Sequence, residues 1–201
     1  MNDDDSLMLP DAPAWHAWVD ESIRVLPAGG FYILAAVIAD SSECESTRDA
    51  MRAMLVRKHG RLHWRDENAD RRHKIAAALS AADVTCLVIV GTHVDGTRQE
   101  RARRLCFEQL LHRLDTLSVS CVWMESRTQS LNRKDVKMVK HLRGARTVTS
   151  DIRLEFALPR DEPMLWAADA VAGAANAKHN GNPEWFEPLA SLTEQIEVKI
   201  R

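Results

Sequence analysis

Apolar and polar residues alternate from Ala14 to Asp20 in "AWHAWVD", which puts His16, Trp18 and Asp20 on one face and Trp15, Ala17 and Val19 on the other. A period of two is the signature of a strand. "LPAGG" then predicts a turn, and the apolar run "FYILAAVIA" predicts a second strand. So short a link implies an antiparallel hairpin. From Ser42 to about Ala82 the spacing is helical in two pieces: Met51, Met54, Leu55 and Lys58 share a face up to a stop at Gly60, and "RRHKIAAALSAA" makes a second helix beyond "RLHWRDEN".

The β-branched run "VTCLVIVGT" predicts a third strand. Thr97 to Glu100 reads as a capping box that opens a helix running to about Asp115, with a buried stripe of Ala102, Leu105, Cys106, Leu110, Leu114 and Leu117. "VSCVWME" predicts a fourth strand with Cys121, Trp123 and Glu125 on one face, "LNRKDVKMVKHLRG" a basic helix closed by Gly144, and "IRLEFAL" a fifth strand. The last long helix begins at Pro163 and runs through "MLWAADAVAGAANA"; the tail after "HNGNP" offers a short helix and a strand, "IEVKI". With the helical pair at about 42–82 set aside as an insertion, three hairpin-linked strands lead into helix-strand units.

A chain of 201 residues is long enough for one core that buries about 70% of the unfolded surface, so a single domain over 1–201 is expected, with disorder at about 1–10. The acidic start "MNDDDS" is unlike a signal peptide, and the longest apolar runs are too short to cross a bilayer. A cytoplasmic protein without membrane contact is the expectation. Cys44, Cys86, Cys106 and Cys121 form no C-x-x-C pair, which predicts buried thiols over disulfides or zinc ligands. A net charge of -2 argues against sequence-blind nucleic-acid binding over the whole surface but leaves room for a local basic face. No Gly-rich phosphate loop and no G-x-S-x-G follows a predicted strand, which removes the common nucleotide-cofactor and serine-hydrolase readings.

Three carboxylates change the picture. Asp20 ends the first alternating run, Glu125 closes the fourth strand, and Asp169 sits within the Ala-rich, almost uncharged "LWAADAVAGAA". A buried acid needs a partner. Two carboxylates about 4 Å apart repel by about 4 kcal/mol at an effective dielectric of about 20, so a cluster requires protons or a cation. Oxygen-only donors select Mg²⁺ or Mn²⁺, and such ions cleave phosphodiesters by activating water. An arginine answering Asp169 is the structural alternative.

"WVDES", "WMESR" and "EPMLWAADAVAGA" resemble the bacterial family known as domain of unknown function 3800, of the ribonuclease H-like superfamily. The likeness runs from about Trp15 to Ala175. It implies an α/β fold with a mixed five-stranded sheet, strands one to three antiparallel, flanked by helices on both faces. It also implies a metal-dependent nuclease site in which Asp20 bridges two ions while Glu125 and Asp169 complete the ligand set. Glu21 and Glu162 stand in reserve, Glu21 because it neighbours Asp20 and Glu162 although it also suits a helix cap two turns from Asp169. Ribonuclease H itself adds an acid from the helix after the third strand; here Glu100 belongs to the capping box and Glu108 to a charged stripe, so that ligand stays unnamed.

Arg127, Arg101 and Arg104, with Arg133 and Lys134, are the candidates to hold substrate phosphates, Arg127 foremost because it lies two residues past Glu125. Trp64, Arg65, Asp66 and Glu67 offer an overhang from the insertion, against a simpler packing role for Trp64. His59 and His63, four apart, make a weak zinc pair with no third ligand in view. Three functions follow: a Mg²⁺- or Mn²⁺-dependent nuclease acting on DNA or RNA, a catalytically inactive module that binds nucleic acid or a protein, and a small-molecule enzyme on a doubly wound sheet, which requires all strands parallel. Oligomeric state is left open.

Overall fold

The alternation that starts at Trp15 does not stop at Asp20. The computed structural model describes residues 14–24, 29–56, 60–94, 97–148 and 152–200, and its first strand, β1, spans Trp15–Arg24. Asp20 is therefore inside the strand, paired with Ala35 of β2 (Gly30–Asp40). β2 pairs antiparallel with both β1 and β3 (Thr85–Val94). β4 (Cys121–Glu125) runs parallel to β1, β5 (Arg153–Ala157) parallel to β4, and β6 (Thr193–Lys199) parallel to β3. The sheet order is β5-β4-β1-β2-β3-β6.

The expected count of five strands is thus corrected to six among the described residues. The tail strand begins at Thr193, three residues ahead of "IEVKI", and covers the β3 edge; its charged Glu194, Glu197 and Lys199 suit a strand whose outer edge is unpaired. The antiparallel β1, β2 and β3 are as predicted. A mixed sheet also removes the argument for a doubly wound small-molecule enzyme.

Among the described residues five α-helices cover the sheet: α1 (Glu45–Ala53), α2 (Ala69–Ser80), α3 (Gln99–Thr116), α4 (Gln129–Gly144) and α5 (Met164–His179). The two faces of β1 feed two cores. Trp18 packs with Ile33, Ala35 and Val37 of β2 and with Trp166, Ala170 and Val171 of α5, on the side of the insertion. Ala17 and Val19 pack with Leu34 and Ala36 and with Phe107, Leu110 and Leu111 of α3. Covered on both sides, β2 reads as a continuous apolar run. The small side chains of α5 let that helix lie close on β1 and β2, where all its residues from Met164 to Ala168 are buried.

Helix ends depart from prediction where a distant side chain intervenes. α1 stops at Ala53, well short of Gly60, and the Met54 carbonyl accepts from the Arg71 guanidinium instead of continuing the helix. α2 starts at Ala69, with the Asn68 side chain accepting from Arg71 N at 3.0 Å. α3 opens at Gln99 with Arg98 at its N-cap, one residue beyond the Thr97 cap expected. All four cysteines are buried free thiols, as predicted. No described helix is long and apolar enough to cross a membrane. The expected disorder at about 1–10, most of "LPAGG", Lys58 and His59 fall outside the described residues.

Candidate functional site

β1 and β4 pair from His16/Cys121 as far as Val19/Met124. Beyond that level β1 continues beside β2 alone, and a crotch opens at Asp20 and Glu125. Period two keeps both acids on the face of Trp18 and Trp123. α5 crosses this face, and Asp169, Gly173 and Asn176, one helical stripe, look onto the same space. Asn176 Nδ2 donates to Ser22 Oγ at 2.7 Å, which ties the helix to β1 one strand period beyond Asp20. Asp20, Glu125 and Asp169 accordingly line one cleft of about 580 Å³.

The insertion forms the opposite wall. After Gly60 the chain runs extended to His63, then makes a 3-10 turn over Trp64–Asp66. Leu62 and Trp64 are buried, while Arg61 and His63, on the other side of the segment, meet the acids. Arg61 Nη1 donates to Glu125 Oε1 at 3.2 Å. His63 Nδ1 lies 3.0 Å from Asp169 Oδ2, and the Trp64 backbone N–H donates to the same oxygen at 2.8 Å. Trp64 packs flat against Gly173: a Cβ there would stand 2.0 Å from Trp64 Cδ1. Arg72 stacks over Trp64 and Trp185, at 5.4 and 4.9 Å from the ring centroids, and closes the far end of the cleft with Arg65.

Asp20 is the odd member. Burial first, and then the negative charge of Asp169, hold its carboxyl well above the usual carboxylate range; Glu125 and Glu21 push the same way, against a hydrogen bond from backbone. Among the described residues no cationic side chain forms an ion pair with Asp20. Its neighbours do have partners, which is why the expected three-carboxylate cage is not assembled: no group of three or more His, Cys, Asp or Glu side chains among the described residues is arranged to hold a metal ion. Glu125 is engaged by Arg61 and Asp169 by His63 and the Trp64 N–H. The weak zinc pair has His63 in this role, with His59 outside the described residues.

The two reserve acids are held by other partners. Because β1 does not end at Asp20, Glu21 turns to the opposite side, where its Oε2 accepts from the Tyr32 hydroxyl and from Arg103 Nε at 3.1 Å. Glu162 takes a two-point contact from Arg48, 2.9 Å at each oxygen, and accepts from Met164 N at 3.0 Å, which places it at the start of α5 outside the cleft lining.

The predicted phosphate contacts fall into two sets. Arg127 donates to Asp135, a nearly fully buried acid that also takes Arg103 Nη1 and Nη2 at 2.7 and 3.2 Å. These arginines line a second, smaller cavity of about 260 Å³ together with Asp20, Glu21 and Glu125. Arg101 and Arg104 are exposed on α3, and Arg133 and Lys134 on α4, all away from the cleft lining. The helix after β3 presents Arg103 towards Glu21, so neither Glu100 nor Glu108 supplies an acid there. The sequence reading missed Arg61 and took His63 only for half of a weak zinc pair, and it also missed Arg72 and Arg103. Only the first two left a trace: alternating basic and apolar residues in "RLHW" after a glycine.

No protein-family model matches the chain, and a search of curated proteins gives no match either.

Proposed function

We propose that the chain is a ribonuclease H-like, divalent-cation-dependent nuclease or related phosphodiesterase. The observation that carries this reading is Asp20: a partly buried carboxyl, facing two further acids across one cleft, unpaired among the described residues and forced upward in pKa first by its burial and then by those acids. A dication relieves that repulsion, and an all-oxygen donor set favours Mg²⁺ or Mn²⁺. The run β5-β4-β1-β2-β3, antiparallel across β1, β2 and β3 and parallel across β1, β4 and β5, supports the ribonuclease H-like assignment, as do "WVDES" and "ADAVAG" at the site.

Asp20 and Asp169 suit the ion, with Glu125 joining once it parts from Arg61. When bound, the ion supplies a water of lowered pKa and a counter-charge for the leaving oxygen. The protein's own contribution is positional. The Trp64 N–H and His63 fix one oxygen of Asp169 and leave the other for a ligand; Ser22 and Asn176 hold β1 on α5; the arginines of the insertion offset the acids so that an anionic substrate can approach.

Asp20→Asn tests the reading. It keeps the side-chain volume and is expected to leave the circular dichroism spectrum unchanged. Mg²⁺- or Mn²⁺-dependent cleavage of DNA or RNA should fall by at least about a hundredfold, since even residues around a metal ligand cost that much when altered. Cleavage that survives the substitution rejects Asp20 as the central ligand. The hold of Arg61 on Glu125 favours a second reading, a catalytically inactive module that binds nucleic acid or a protein; the absence of cleavage by the unaltered protein with either ion would select it.

A further inference from the structure

We propose that Arg61 is an exchange residue: it holds Glu125 in one state of the cleft, and grips a phosphate of the substrate when Glu125 turns to the divalent ion. The proposal rests on the metal-dependent reading above and names the substrate contact for it. Glu125 then has two alternative cationic partners, and Arg61 two alternative anions.

The contact is built for exchange. Arg61 meets Glu125 through a single N–H at 3.2 Å, with the two side chains 44% and 43% exposed, and ion pairs of that kind are weak. The contrast lies nearby: Arg48 holds Glu162 through two bonds of 2.9 Å, with both side chains less than one-fifth exposed. One N–H on Glu125 leaves most of the guanidinium's five donors for another oxygen anion. The backbone that follows Arg61 is held, because Leu62 and Trp64 are buried and the Trp64 N–H is bonded to Asp169. Arg61 can thus change partners without moving the segment.

Chemistry selects phosphate as the second anion. The cleft floor carries Asp20, Glu125 and Asp169, so any anionic substrate is repelled unless positive charge reaches it from above. Arg61 and Arg65 line that side. The two non-bridging oxygens of a phosphodiester match the guanidinium fork.

The signature is a pair of opposite changes. Arg61→Ala releases Glu125, so Mn²⁺, followed by the electron spin resonance signal of the free ion, should bind about fivefold tighter. The same variant should bind fluorescein-labelled DNA and RNA oligonucleotides about tenfold more weakly, by anisotropy with Ca²⁺ as the ion. Arg61→Lys should restore the Mn²⁺ affinity and only part of the oligonucleotide affinity. A fall in both affinities marks Arg61 as a structural support and overturns the proposal, as does an unchanged oligonucleotide affinity. Asp20→Asn separates the two layers: normal Mn²⁺ binding by that variant defeats the metal site itself, whereas lost Mn²⁺ binding there beside an unaltered Arg61→Ala defeats the exchange alone.

Discussion

Tyr32 is the chain's single tyrosine; it is buried, and its hydroxyl donates to Glu21. Burial first and then the charge of Glu21 push its phenol far above the ordinary value. The folded state favours the neutral phenol, so this stabilisation is complete below pH about 10 and is lost as pH rises through the folded-state value. Phenolate absorbance should therefore emerge in alkali only together with loss of the folded circular dichroism signal; ionisation near pH 10 in an intact fold would contradict the Tyr32–Glu21 contact. Asp169 was legible in the sequence because a charge in an apolar stretch demands an explanation, and Asp20 and Glu125 because they fall at the ends of alternating or apolar runs. The partners were not: Arg127 was chosen for its nearness to Glu125 along the chain, yet Asp135, eight residues on, holds it. Pairings across space leave no periodic trace.

At the scale of elements, the pattern located the strands and the long helices, whose two periods differ plainly, and missed the ends that distant groups decide, such as the Met54 carbonyl bound by Arg71. The packing of the insertion on α5 was equally hidden, since nothing in "ADAVAGAA" announces that Gly173 faces an indole. Gly173→Ala exposes the conflict. Helix propensity alone favours alanine by about 1 kcal/mol, but the added Cβ would stand 2.0 Å from the ring of Trp64, itself buried. Overpacking costs about 1–3 kcal/mol, and a ring held by Arg72 and Trp185 cannot swing aside cheaply. The variant should unfold at lower denaturant concentration with altered tryptophan emission. Stability at or above that of the unaltered protein would show that Trp64 does not rest on α5.

At the scale of the molecule, the sheet is closed at the β3 edge by a strand from the very end of the described chain, pairing from Cys86/Thr193 to Thr92/Lys199. Arg113 of α3 clamps it through Glu194 at 2.8 Å, and Ile200 is buried behind it. Ending the chain after Leu192 should leave the apolar β3 as an open edge and drive association, visible as a concentration-dependent rise in mass by light scattering. A truncated chain that stays monomeric would assign β6 no protective part. The sixth strand was foreseen as a tail strand, but its place in the sheet was not, because a parallel pairing with β3 depends on the path of the whole chain.

The insertion leaves the sheet from β2 and returns in β3, two strands already zipped to each other along most of their length. In topological terms everything from Ser41 to Val84 is one oversized hairpin loop. Its length and chemistry can change without shifting a single strand register, while the carboxylates beneath stay anchored by β1, β4 and α5. Which solute gains entry and what happens to it on arrival are thus written in separately replaceable parts of one polypeptide.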